Sequence, residues 1–161
     1  NDFFKAKGLE IGHSTVYGKV DISHMLADPK LILPSDVVVW TAEGSRIKKP
    51  EEVLPVEAIE DIGPQALEDI APLLSGAEFI LWNGPLGNYE KGFRDRTLKL
   101  AEMISESKAF SVVGGGDTTA VISSMNTPNK FGFVSTGGGA MLEFLEKGTL
   151  PGIEALKNSA S

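Results

Sequence analysis

Short runs of apolar residues alternate along this chain with segments in which apolar residues recur every three or four positions. The short runs have the length and the β-branched or aromatic content of strands: Leu31–Trp40, which Pro34 interrupts, Glu78–Trp82, Phe110–Val113 and Phe131–Val134. The periodic segments predict amphipathic helices over Gln65–Leu74, with Leu67, Ile70, Leu73 and Leu74 on one face, over Phe93–Ser105, and over Gly139–Lys147, with Met141, Leu142 and Leu145 facing inward. A further helix is expected over Thr118–Met125. This alternation predicts an α/β fold, a three-layer αβα sandwich around a parallel, Rossmann-like sheet.

The other segments predict shorter or irregular elements. In chain order these are a helix over Asn1–Lys7 that ends at Gly8, a short helix over Asp21–Ala27, a polar surface excursion over Thr41–Glu52, an extended piece at Leu54–Ile59, a loop at Asn126–Lys130 and a short docking helix at Pro151–Leu156.

The stretch Phe110–Ala120 carries the strongest chemical signal. An apolar strand end is followed by Gly114–Gly116, whose missing Cβ atoms let backbone N–H groups approach a ligand closely. Asp117–Thr119 then stand where a helix should start, which suits N-capping and places N–H donors at the positive end of the helix dipole. The run predicts a phosphate cradle, with Asp117 available for a metal ion on the phosphates. For this run alone, an ordinary glycine-rich turn capped by Asp117 explains the pattern equally well.

A second run, Phe133–Leu142, repeats the same order of strand end, hydroxyls, three glycines and helix. Neighbouring parallel strands place their carboxyl ends on one edge of a sheet, so two such turns indicate a polyanion held between them. A third loop, Asn83–Glu90, follows another strand and is made rigid by two glycines around Pro85. Its Glu90 either takes a ribose hydroxyl or is a solvated loop acid, and the residues alone do not separate these two readings.

Composition narrows the class of protein. The 161 residues suffice for one domain with a proper core, and 42% apolar with 23% charged residues is ordinary for a soluble protein. No apolar run approaches the length of a membrane span, and the formal charge of -7 argues against nucleic-acid binding. Cysteine is absent, which excludes disulfides, thiol catalysis and cysteine-ligated zinc and is compatible with the cytoplasm.

Three motifs taken together resemble the C-terminal, nucleotide-binding half of phosphoglycerate kinase. They are Trp82-Asn83-Gly84-Pro85-Leu86-Gly87, Val113-Gly114-Gly115-Gly116-Asp117-Thr118 and Ser135-Thr136-Gly137-Gly138-Gly139-Ala140. Three supporting stretches follow the family's order: Leu33–Val39, Asp61–Pro64 and Leu150–Leu156. The likeness covers nearly the whole chain, and several ordered motifs are far more specific than one glycine run.

The resemblance implies a glycolytic phosphotransferase with a carboxyl group as acceptor. Such an enzyme moves a phosphoryl group reversibly between ATP and 3-phosphoglycerate, giving ADP and 1,3-bisphosphoglycerate, with Mg²⁺ on the nucleotide. The implied nucleotide-binding residues are Asn83, Pro85, Gly87, Gly114, Gly115, Gly116, Asp117 and Thr118, with Glu90 for the ribose and Asp117 for the metal. Gly137 and Gly138 match the helix N-terminal glycines that face the transferring phosphoryl group, a catalytic role that needs positioning and charge neutralisation.

The sequence also departs from the family. Asn88 stands where the family usually has an apolar residue against the base, and Glu90–Phe93 is one residue shorter than usual. The family's N-terminal half, with its arginine and histidine cluster for phosphoglycerate, is absent from these residues, as are the first two strands of the C-terminal half. In a sheet of order 3-2-1-4-5-6, those strands would bridge Val37–Trp40 to the later strands. The upstream segment of the same protein is therefore an expected partner.

The first hypothesis is that residues 1–161 are a partial nucleotide-binding domain of a cytoplasmic phosphoglycerate kinase. The domain would carry most of the Mg-nucleotide site and would be inactive alone, because the sequence offers no arginine cluster for 3-phosphoglycerate. The alternative is a stand-alone nucleotide-binding or interaction module without transferase activity. A glycine-rich α/β domain without any ligand is the third hypothesis.

Overall fold

The structure is a computed structural model, and it describes residues 1–18, 21–125 and 130–159. The chain divides into two compact units, each of which takes two separate parts of the sequence. The first unit comprises Asn1–Leu73 and Leu86–Leu100, and the second comprises Leu74–Pro85 and Ala101–Ser161. Within the described ranges, no helix is long and apolar enough to cross a membrane.

The first unit contains a three-stranded antiparallel sheet. Its strands are β1 (Val37–Thr41), β2 (Gly44–Lys48) and β3 (Ala58–Ile62), in the order β2-β1-β3. In the register, Val37 lies opposite Lys48 of β2 and Ile62 of β3, and an irregularity follows Val38. Central β1 contributes Val37 and Val39 to a core whose other buried members are Phe4, Ile11, Val53 and Ile59.

Two predictions for this region were wrong. The segment Thr41–Glu52 is not an excursion, because it contains β2, a polar edge strand whose turn is closed by the Thr41 hydroxyl donating to the Gly44 carbonyl at 3.2 Å. The strand predicted from Leu31 begins only at Val37. An edge strand needs no apolar alternation when neither of its faces is covered, and Pro34 lacks the backbone N–H that a strand ladder requires.

Short helices complete the first unit. They are α1 (Asp2–Ala6) and three 3₁₀ helices at Ser23–Ala27, Pro50–Glu52 and Tyr89–Lys91. Helix α2 (Pro64–Gly76) begins at a carboxylate cap from another segment, since Asp36 Oδ1 accepts the N–H of Ala66 at 2.7 Å and Asp36 Oδ2 that of Gln65 at 3.1 Å. These bonds satisfy donors that a helix start otherwise leaves unpaired.

The second unit contains the predicted parallel sheet. Its strands are β4 (Phe79–Asn83), β5 (Phe110–Gly114) and β6 (Phe133–Ser135), paired in that order. The α/β class with a parallel sheet is therefore confirmed, whereas β1 belongs to a separate antiparallel sheet. Helices α3 (Asp95–Glu106), α4 (Gly116–Ser124), α5 (Gly138–Lys147) and α6 (Pro151–Ser159) follow the predicted positions within a few residues.

One face of the parallel sheet is buried and the other is exposed. Ile80, Trp82 and Val113 are buried, as are Val121 and Ile122 of α4, which packs beside β5 and β6. On the opposite face, Phe79, Phe110 and Phe133 are 58%, 55% and 58% exposed. Parallel sheets are normally covered on both faces, so this face lacks the cover that its apolar side chains require.

The helix patterns predicted that more apolar side chains are buried than the described residues show. Leu142 and Leu145 of α5 were predicted to face inward but are exposed, and Leu73 of α2 is exposed as well. Met141 alone of the predicted α5 set packs inward, against Gly114 at the end of β5. The loop predicted at Asn126–Lys130 falls largely on residues 126–129, which lie outside the described residues.

Candidate functional site

The three parallel strands end level with one another in the second unit. Asn83 at the end of β4 pairs with Gly114 at the end of β5, and Gly114 pairs with Ser135 at the end of β6. Each strand end leads into a glycine-containing turn, two of which start α4 and α5. The sheet therefore brings the three sequence motifs to one edge, as the order of parallel strands predicts.

The two glycine turns touch through their backbones. A side chain at Gly138 would overlap the Asn83 Oδ1 atom and would come within 2.6 Å of the Gly115 nitrogen. Gly115 itself has φ +102°, a conformation that side chains disfavour, and its N–H donates to the Ser135 carbonyl at 3.1 Å. Glycine is required at 115 by conformation and at 138 by space, and the Asn83 amide oxygen lies against both residues.

Both helices start without a side-chain cap. The N-cap residues are Gly115 for α4 and Gly137 for α5, and neither can supply a side-chain acceptor. Asp117–Thr119 lie within the first turn of α4 instead of capping it, and the Asp117 side chain is exposed. A Cβ at Gly116 or Gly139 would meet no atom within 4 Å. The first N–H groups of both helices thus lack helical partners at positions with open space beside them.

The hydroxyl groups of Thr118 and Ser135 hold these turns in place through hydrogen bonds. The sequence patterns did not predict this role for either residue. Thr118 is fully buried, and its Oγ1 accepts the Gly84 N–H at 3.0 Å, which ties the loop after β4 to α4. Ser135 Oγ accepts the Gly137 N–H at 3.1 Å, and its carbonyl accepts that of Gly115. A serine two residues before a glycine is a recognised turn signal, so the second brace was accessible from sequence.

Gly87 and Glu90 lie in the first unit. Gly87 is buried, and a side chain there would overlap the Asp61 carboxyl group, so packing alone explains this glycine. Glu90 is exposed at a cavity of about 520 Å³, whose other lining residues include Thr15, Leu33, Leu86 and Asn88. The cavity combines apolar walls with a carboxylate, in the size range of small-molecule pockets.

Asp61 is the most perturbed acid of the described chain. Burial raises the pKa of Asp61 to about 6, against the ordinary value of 3.8, while the Ile62 N–H bond and the charge of Arg96 oppose that rise. Glu57, which directly precedes β3, shows the opposite effect, because a hydrogen bond from Lys48 lowers its pKa. The Glu57 carboxylate is therefore stabilised by a paired cation, whereas burial disfavours the charged form of Asp61.

The raised pKa of Asp61 predicts a pH-dependent contribution to stability. The unfolded residue titrates near 3.8 and the folded one near 6, so the native state binds the extra proton in this window and stability falls as pH rises through it. We expect Asp61→Asn to gain about 1–2 kcal/mol relative to wild type between pH 4 and pH 7. Chemical denaturation of the protein as purified, at both pH values, measures this difference.

The matched control is Asp69→Asn. Hydrogen bonds from Ser35 and Gln65 lower the pKa of Asp69, so its contribution to stability is present at neutral pH and is lost as pH falls. The two substitutions should therefore change the pH dependence in opposite directions. Parallel pH profiles for wild type and Asp61→Asn would contradict the assignment of a raised pKa to Asp61.

The three arginines of the chain line one cavity of about 440 Å³ in the first unit. Arg46 there is paired with Glu43, and Arg94 lies 4.2 Å above the Tyr89 ring. Asp61 and Asp95 line the same cavity as Arg46, Arg94 and Arg96. Arg46 and Arg94 thus already have partners within this cavity, and the absence of an arginine cluster for 3-phosphoglycerate stays a prediction.

Metal-ligating side chains are sparse. Among the described residues, no group of three or more His, Asp or Glu side chains is placed to hold a metal ion. Asp117 stands as a single exposed carboxylate at the start of α4. One carboxylate fits Mg²⁺ that is bound mainly through phosphate oxygens and water, and it does not fit a metal held by protein alone.

Comparison with known proteins decides the family. The family model described as phosphoglycerate kinase matches residues 1–148. This chain belongs to the phosphoglycerate kinase family. The phosphoglycerate kinase of Francisella tularensis subsp. tularensis is 41% identical over 172 residues, which cover 99% of this chain and 44% of that protein. The phosphoglycerate kinase of Thermus thermophilus is 42% identical over 170 residues, which cover 96% of this chain and 43% of that protein.

Solved phosphoglycerate kinases share the fold. The structure from Coxiella burnetii matches with a TM-score of 0.82 and 36% identity, covering 98% of this chain and 43% of that one. The structure from Pyrococcus horikoshii matches with a TM-score of 0.77 and 29% identity, and the match covers 96% of this chain and 42% of that one. The chain thus spans less than half the length of the phosphoglycerate kinases that it matches.

Proposed function

We propose that this chain is the Mg-nucleotide-binding part of a glycolytic phosphoglycerate kinase. The complete enzyme would transfer a phosphoryl group between ATP and 3-phosphoglycerate, and the isolated chain would bind nucleotide without turnover. The proposal rests on family membership and on one observation above all, the meeting of two uncapped glycine helix starts at the ends of β4, β5 and β6.

The physical chemistry of these helix starts supports phosphate binding. Backbone N–H groups at a helix N-terminus form an anion site, and two adjacent ones suit the successive phosphates of a nucleotide. Open space beside Gly116 and Gly139 leaves room for those phosphates. We assign Asn83, Pro85 and Gly114–Thr118 to the phosphates, with Thr118 acting through its backbone because its hydroxyl is engaged.

Gly137 and Gly138 would face the group in transit. Charge develops on the transferring phosphoryl oxygens, and donors that are already oriented stabilise it without reorganisation. Asp117 would hold Mg²⁺, and the bound ion would neutralise phosphate charge. The rigid backbone contact between Gly115 and Gly138 would keep both turns in register during transfer.

Glu90 would bind the ribose hydroxyls. Its carboxylate is exposed at a cavity with apolar walls, which suits a nucleoside better than a solvated loop does. Gly87 would contribute to the same loop, although its packing against Asp61 already accounts for the residue.

Asp117→Ala tests the metal assignment. We expect Mg·ADP to bind at least about tenfold more weakly, because the substitution removes a charge-assisted ligand, while metal-free ADP keeps its backbone contacts. Titration calorimetry with and without Mg²⁺ measures both affinities. Glu146→Ala, an exposed acid of α5, is the matched control and should change neither affinity. Equal losses with and without Mg²⁺ would remove Asp117 from the metal site.

A further inference from the structure

The turn that carries Glu90 is anchored from beneath by a single buried carboxylate, Glu60 of β3. The Glu60 side chain is only 5% exposed. Its Oε1 accepts from Lys91 Nζ at 2.6 Å, and its Oε2 accepts from Asn88 Nδ2 at 2.8 Å. The Glu60 carbonyl also accepts the Asn88 N–H at 2.7 Å. One residue of the sheet thus holds both ends of the turn.

The turn is also closed on itself. Asn88 is the N-cap of the 3₁₀ helix Tyr89–Lys91, and its Oδ1 accepts the Lys91 N–H at 3.3 Å. Gly92 follows in the left-handed conformation, and the Phe93 N–H donates to the Asn88 carbonyl at 3.2 Å. Glu90 lies between the two anchored residues, so its backbone position is set by the contacts of its neighbours.

Burial makes these contacts strong constraints. A carboxylate removed from water is costly unless hydrogen bonds and a countercharge satisfy it, so Glu60 keeps its partners in place. Lys91 is largely exposed and Asn88 is half-buried. The buried strand β3 therefore fixes the position of the surface turn.

We propose that Glu60, with Asn88 and Lys91, positions Glu90 for the ribose of the nucleotide; this rests on the proposed function, in which Glu90 binds ribose. Glu60, Asn88 and Glu90 line the same cavity. The Asn88 amide donates to the Glu60 carboxylate at 2.8 Å, so this side chain ties the turn to the buried strand. Glu60 is a positioning residue, because it acts through the turn.

The test compares Glu60→Gln with wild type in the 161-residue chain, in the form in which it is purified. The probes are Mg·ADP, Mg·2′,3′-dideoxy-ADP and inorganic tripolyphosphate. We expect Glu60→Gln to weaken Mg·ADP roughly five- to tenfold, through loss of the charged partner of Lys91, and to leave the other two affinities unchanged. In a Glu90→Gln background, the effect of Glu60→Gln on Mg·ADP should disappear.

Glu57→Gln is the matched control, because Glu57 is an equally buried acid that precedes β3 and pairs with Lys48 at 2.7 Å. This variant should not alter discrimination between ADP and the dideoxy analogue. Lys91→Met, at an exposed position, provides a second route if Glu60→Gln fails to fold, and it should reproduce a loss of about two- to threefold that is specific to ADP.

The outcomes separate the two proposals. Suppose that wild type prefers ADP over the dideoxy analogue and that Glu60→Gln and Lys91→Met keep the same preference. This outcome overturns the positioning role and leaves the proposed function standing. Equal weakening of all three ligands also overturns it, because that pattern reports general destabilisation. Wild type that binds none of the three ligands overturns the proposed function and this inference together.

Discussion

Purified Asn1–Ser161, supplied with Mg²⁺, ATP and 3-phosphoglycerate, should show turnover lower than a complete phosphoglycerate kinase by a factor on the order of 10⁴ or more. Phosphoglycerate carries its own negative charges, and holding it opposite a nucleotide requires several bidentate cations. The arginines of this chain are Arg46, Arg94 and Arg96, all in the first unit and accompanied by Asp61 and Asp95.

A coupled assay against a complete enzyme at equal concentration measures this difference. Nucleotide binding by the same sample must be measured in parallel, because an unfolded chain would also be inactive. Activity within about tenfold of the complete enzyme, which corresponds to only about 1.4 kcal/mol of barrier, would contradict the prediction and the view that the acceptor site lies elsewhere.

The parallel sheet was predictable because its signals are local. Apolar strand ends at Trp82, Val113 and Val134 run into glycine turns, and each turn starts or precedes a helix within a few residues. The antiparallel sheet was not predictable, since the pairing of Val37 with both Lys48 and Ile62 depends on contacts between separate segments. Edge strand β2 is polar, so no period-two pattern marks it.

The candidate site shows the same division. The glycine runs in the sequence predict the two turns, because only glycine allows residue 138 to approach Gly115 so closely. The hydrogen bond that Asn88 donates to Glu60 joins residues 28 positions apart, and the sequence around each residue alone predicts a solvated polar side chain. The predicted burial of Leu142 and Leu145 failed for a different reason, since a helix period shows which side is apolar but not what covers it.

The exposed face of the parallel sheet carries the last prediction. Phe79 and Phe110 lie opposite each other in the register and stack at 6.2 Å between ring centroids, and Phe133 continues the same face on β6. The outer strands β4 and β6 also present backbone groups without a strand partner among the described residues. Such a face and such edges favour association with other polypeptide.

We therefore expect Asn1–Ser161 to behave in solution as an associated species, either self-aggregated or paired with another polypeptide. Size-exclusion chromatography with mass measurement should give a mass above 17.2 kDa. Phe110→Lys should lower that association, because it places a charge in the middle of the apolar face. Ile47→Lys, an exposed apolar position on the first unit's edge strand, is the matched control and should have a smaller effect. A cooperatively melting monomer of 17.2 kDa would show that three strands with one bare apolar face suffice for a stable sheet, and the need for a covering segment would be refuted.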